Sequence, residues 1–125
     1  MFVLQYLKWF TSFYQVSFNM EKEIIANALS KYANSDIIKR VYPMIDRIEI
    51  VHVYDNKHFE GYDLDILIYL NDPDINKNNM YTKNFDPHWL VSHHLKKLSK
   101  YLGIDIHNIG FELYNANGEL ILNWT

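Results

Sequence analysis

The sequence predicts an α+β fold: a two-layer sandwich in which an antiparallel sheet of about four strands carries helices on one face. Three observations predict it. Two helix-period segments, "EKEIIANALSKYAN" and "DPHWLVSHHLKKLSKYLG", are each followed by a pair of strand-like runs. The last pair is joined by Asn117-Gly118, a strong hairpin-turn signal. The chain has 125 residues, 49% hydrophobic and 22% charged, which suits one domain with one core.

The opening "MFVLQYLKWFTSFYQVSFNM" is apolar and aromatic. Lys8 interrupts it and no small-residue cleavage pattern follows, which disfavours a signal peptide. Gln5, Lys8, Thr11, Ser12, Gln15 and Ser17 also break it below the ~20 apolar residues of a membrane span. Residues 1–19 therefore read as an apolar N-terminal extension, an extra strand or helix, ahead of a single domain over 20–125. The first helix starts at a capping Asn19. Glu21 and Glu23 sit in its first turn, and Ile24, Ile25, Ala28, Leu29 and Tyr32 share one face. Asn34 ends it in the left-handed conformation. "SDIIKRVYP" adds a short helix capped by Ser35 and stopped by Pro43.

"IDRIEIVHVYD" and "DLDILIYLN" are then two strands joined by "NKHFEGY". The polar stretch "NDPDINKNNMYTKNFD" is long for a connection and reads as a functional or mobile loop. Asp86 caps the next helix, Pro87 takes its first turn, Val91, Leu95, Leu98 and Leu102 line one face, and Gly103 ends it. Lys96, Lys97 and Lys100 suit the negative end of its dipole. The order is α-β-β-α-β-β, similar in spirit to ferredoxin-like sandwiches.

Strict alternation fixes an expected register. Opposing pairs Tyr54–Asp63, His52–Asp65, Ile50–Leu67 and Ile48–Tyr69 share one face; Val53–Leu64, Val51–Ile66 and Glu49–Ile68 share the other. In the last hairpin a two-residue loop pairs Leu113 with Leu122 and Phe111 with Trp124. Tyr114 with Ile121 and Glu112 with Asn123 fall on the opposite face. The helices cover the Leu64, Ile66, Phe111 and Leu122 face. The other face then holds Ile48, Ile50, Leu67, Tyr69, Tyr114 and Ile121 as an apolar patch, which predicts a covering partner, a second copy of the chain first.

The polar end of that face is where chemistry would lie. Asp63 and Asp65 stand ~7 Å apart along one strand, a spacing at which two carboxylates can hold magnesium or manganese. His52 opposite Asp65 could act as an acid or base. "Asp63-Leu64-Asp65-Ile66" resembles the metal-binding strand of nucleotidyltransferases. The Gly-Ser turn that cradles the phosphates in that family is absent from the preceding "VHVYDNKHFEG", so no membership is read from it. "DPDINKN" imitates a calcium loop, but Lys77 replaces the turn glycine and Lys83 the closing glutamate. His88, His93 and His94 lack the spacing of three or four that places two zinc ligands on one helix face. Tyr54, Tyr69 and Tyr114 could stack bases, although Asp63, Asp65 and Glu112 beside them would repel phosphates.

The formal charge of −3 supplies no general attraction for nucleic acid or anionic membrane. With no cysteine, disulfides, thiolate metal sites and cysteine nucleophiles are excluded. The expectation is a cytoplasmic, non-enzymatic module that binds protein or itself. A divalent-metal enzyme at Asp63 and Asp65, or a single-stranded nucleic-acid binder, are the alternatives.

Overall fold

The computed structural model describes residues 14–97, 100 and 103–125, with the backbone alone over 14–20. The chain forms α1 (Tyr14–Ala33), α2 (Asp36–Val41), β1 (Ile45–Asp55), β2 (Tyr62–Leu70), α3 (Pro87–Trp89) continuing as a π-helical turn over Leu90–Leu95, β3 (Ile106–Tyr114) and β4 (Leu120–Trp124). The α+β sandwich and the α-β-β-α-β-β order stand. The four strands lie in the order β1-β2-β3-β4, two antiparallel hairpins side by side. The sheet is mixed rather than wholly antiparallel, because β2 and β3, which join the hairpins, run parallel. A parallel pair needs a long crossover, and the 71–86 connection with its helix supplies one.

Helix α1 begins at Tyr14, so Asn19 lies inside it rather than at its cap. Ile25, Leu29 and Ala33 recur every fourth residue and are buried, while Ile24 faces solvent. Each of the two larger side chains contributes about 1.5–3 kcal/mol by leaving water. Asn34 does follow the last helical residue, but no left-handed backbone is found there. Its side chain instead docks on β1. Its Nδ2 donates to the Ile48 carbonyl (2.8 Å) and its Oδ1 accepts from the Ile48 N–H (2.8 Å). The same Nδ2 donates to the Ser30 carbonyl at 2.8 Å, which ties the helix end to the strand.

Alternation holds from Asp55 to His52, with the pairs Tyr54–Asp63, Val53–Leu64 and His52–Asp65 as expected. Then Val51 is an extra residue, a β-bulge, and the pairing resumes as Ile50–Ile66, Glu49–Leu67, Ile48–Ile68 and Arg47–Tyr69. This reverses the faces of the first half of β1. Ile48 is 2% exposed, inside the core, and Ile50 packs against that core, so neither belongs to the open-face patch expected of them. Arg47 and Glu49 take their places.

A similar correction applies to the last hairpin. The Gly118 N–H donates to the Asn115 carbonyl (3.0 Å), the Asn115 N–H donates to the Glu119 carbonyl (3.1 Å), and Gly118 has φ +78°. The loop is thus three residues with a left-handed glycine, not the two-residue turn. Tyr114 pairs with Leu120, Ile121 becomes an extra residue, and Leu113–Leu122, Glu112–Asn123 and Phe111–Trp124 follow as expected. Ile121 consequently packs against the core instead of lying on the open face.

The 71–86 connection is anchored by Ile75, Met80 and Phe85, all at most 3% exposed. Its asparagines make turns: Asn76 Oδ1 accepts from the Asn78 and Asn79 N–H groups, and Asn79 Nδ2 donates to the Asp74 carbonyl. Asp86 caps α3 as expected, its Oδ1 accepting from the His88 and Trp89 N–H groups. Leu98 and Leu102 lie outside the described residues.

Candidate functional site

The corrected register arranges the open sheet face as rows of side chains running across the strands. The first row is Arg47, Tyr69 and Tyr114, contributed by β1, β2 and β3 at paired positions. The Arg47 guanidinium carbon lies 4.0 Å from the Tyr69 ring centroid. The Tyr69 and Tyr114 rings stack at 5.4 Å and 18°. Cross-strand neighbours of this kind hold each other in place. Arg47 Nε also donates to Glu49 (3.3 Å) and its Nη1 to Asp46 (3.2 Å), while the Tyr114 hydroxyl donates to Glu112 (2.6 Å). That last bond raises the Tyr114 pKa above its ordinary value, because the phenol's proton is shared with a carboxylate.

The second row is Glu49, Leu67, Glu112 and Asn123. In the third, Val51 and His52 face Asp65, and Asp65 faces Gly110. A Cβ at Gly110 would stand 3.0 Å from Asp65 Oδ1 and 3.3 Å from the Trp124 carbonyl, so glycine is what lets these three strands close up here. The bulge leaves Val51 45% exposed in a shallow depression with Leu67, Glu112 and Asn123.

The polar end holds the residues singled out for chemistry. Asp63 and Asp65 do share the open face. Asp63 Oδ1 accepts from Asn56 Nδ2 (2.9 Å) and from the backbone N–H (3.1 Å) and Nδ2 (3.3 Å) of Asn108. That carboxylate therefore fastens the β1–β2 loop to the start of β3. Asp65 Oδ2 accepts from the Tyr54 hydroxyl, which raises the Tyr54 pKa. His52 opposes Asp65 in register, but its ring stacks on Tyr54 at 5.4 Å and 28°. Among the described residues, no three His, Asp or Glu side chains gather as a metal-binding group. An open cleft of ≈ 660 Å³ adjoins Asp63, lined by Lys22, Tyr54, Asn56, Lys57 and Asn108 among others. Lys22 reaches across it to Asp55 at 3.1 Å.

The three histidines of the second helical segment make ring contacts or hydrogen bonds inside the domain. His88 meets the edges of Phe111 and Trp124 at 5.4 and 4.7 Å, His93 stacks on Trp89 at 4.2 Å, and His94 Nδ1 and the Tyr42 hydroxyl share a hydrogen bond of 3.1 Å. Burial first, then His93 and Lys97, hold the His94 pKa below its ordinary value. Burial, aided by Asp86, pushes the Tyr42 phenol up to about 12. Asp72 is engaged by Lys83 Nζ (2.8 Å) and the Asp74 N–H (2.8 Å), which lower its pKa.

Alternation in the sequence placed Leu67, Tyr69, Tyr114, Asp63, Asp65 and His52 on one face. It missed Arg47 and Glu49. The available signal was Glu49 itself, which an unbroken β1 would have buried opposite Ile68 without a partner. No family model, no curated protein and no solved structure gives a significant match to this chain. No helix among the described residues is long and apolar enough to cross a membrane.

Proposed function

We propose that the protein is a binding module that receives a protein partner on the open face of its sheet. The observation that carries this reading is the Arg47–Tyr69–Tyr114 row. Arginine and tyrosine dominate the binding energy of protein interfaces. Here they stand ordered before any partner arrives, so less side-chain freedom remains to be lost on binding. Among the described residues no lysine lies in a strand, and lysine is the cation that interfaces deplete.

The face carries Glu49, Asp63, Asp65 and Glu112 against Arg47, which favours a partner surface bearing basic groups. Two such faces pressed together would oppose carboxylate to carboxylate, so a second copy is the poorer occupant there. Nucleobase stacking is disfavoured in the same way. Both faces of Tyr69 have neighbours, and the surrounding acids repel phosphate. Binding is favoured over catalysis because Asp63 and Asp65 already act as acceptors for Asn56, Asn108 and Tyr54.

The test places a photo-crosslinking residue at Tyr69 and, as control, at Ile37, which is 61% exposed on α2. In a lysate of the source cells the reading expects a discrete adduct from position 69, lost with Arg47→Glu and absent from position 37. Equal labelling from both positions, or none from 69, removes it.

A further inference from the structure

We infer that the protein also associates with a second copy of itself through β4, the two edge strands pairing antiparallel about an axis perpendicular to the sheet. β4 ends the sheet, and among the described residues no side chain or loop bonds its backbone outside the β3 ladder. An edge strand with a bare row of N–H and C=O groups is a template for another strand unless it is guarded. Charges, prolines, bulges and covering groups are the usual guards.

The strand "LILNW" contains no charge and no proline. Leu120 and Trp124 are 51% and 53% exposed. The bulge at Ile121 bends only the start of the strand, and Leu122, Asn123 and Trp124 beyond it keep regular pairing with β3. Residues 122 and 124 share the helix side with Leu113 and Phe111, while Asn123 lies on the open face beside Glu112. A two-fold axis at Asn123 sets Trp124 of each copy beside Leu122 of the other. It brings the two Asn123 amides together, each able to donate and accept.

Charge and backbone occupancy select this occupant over other contacts between copies. Along β1, Asn34 already holds the Ile48 N–H and carbonyl, and contact through the open face would set carboxylate against carboxylate; pairing through β4 brings together no charged side chain of the strand. The axis keeps both open faces on one side of a continuous eight-stranded sheet, twice the four strands of one copy. A contact this short buries less than the ~800 Å² per partner of a standard interface, so dissociation is expected in the range of about 10 to about 100 µM.

Sedimentation velocity of the full chain from about 5 to about 500 µM spans that range. A monomer-to-dimer transition is expected, and Trp124→Lys and Asn123→Lys should each raise the dissociation constant at least about tenfold with unchanged circular dichroism. Tyr69→Ala should leave it unchanged. In the wild-type chain, where folding of a variant is not at issue, amide exchange at Leu122–Trp124 should slow as concentration rises. A wild-type monomer throughout, a dimer indifferent to both lysines, or a dimer lost in Tyr69→Ala would each overturn the inference.

Discussion

The outer edges of β1 and β4 border the same sheet, yet they carry different furniture. Along β1, Asn34 occupies the Ile48 N–H and carbonyl as a neighbouring strand would. Val51 breaks the repeat, and Asp46, Arg47, Glu49 and Asp55 line the strand with charge. Along β4 the corresponding stretch is uncharged, its backbone unclaimed among the described residues. An edge that must stay single acquires several independent obstacles to pairing. An edge without them is open to use, and that difference separates a wall of the domain from a docking seam.

The largest effect that sharpens this contrast comes from β1. The bulge moves Ile48 into the core, so Ile48→Ala should cost about 2–5 kcal/mol. Val51→Ala, at the exposed extra residue, should cost under about 1 kcal/mol. Urea titration of both variants reads the difference; a larger cost at Val51 than at Ile48 would mean that β1 runs without the bulge. Next is Asn34→Ala, which strips the Ile48 backbone of both bonds. A loss of about 2 kcal/mol is expected, with faster amide exchange at Ile48. No loss would mean that the edge is protected by charge and bulge alone. Smallest is Gly118→Ala in the turn that leads into β4, where φ +78° strains any side chain. About 1 kcal/mol is expected from thermal unfolding. A neutral result would imply that the turn relaxes and that β4 is less firmly placed than β1.

The legible parts of this fold were those governed by local rules. Asp86-Pro87 announces a helix start, "NG" a turn, and "DLDILIYL" a half-buried strand. Bulges escape such reading because an extra residue has no letter of its own. In "EIVHV" both Ile50 and Val51 suit the core, and only the fate of Glu49 separates the two registers. The last hairpin hides its bulge differently: the added loop residue and the extra Ile121 offset each other, so Leu113–Leu122 is the same with or without them. The parallel junction of β2 and β3 was missed although the long helix-bearing connection implied it. Arg47, the cation of the candidate face, was hidden by the same misplaced alternation that put Ile48 there.

That parallel junction has a kinetic consequence. Each hairpin closes over a short turn, whereas Leu70 and Ile106 are separated by residues 71–105, and only their meeting unites the halves. Loop-closure entropy grows with the logarithm of length, so the distant seam is the more demanding encounter. A newly made chain thus assembles two ribbons quickly and a sheet slowly, and during the delay Ile66, Ile68, Phe111 and Leu113 are the surfaces most in need of shelter.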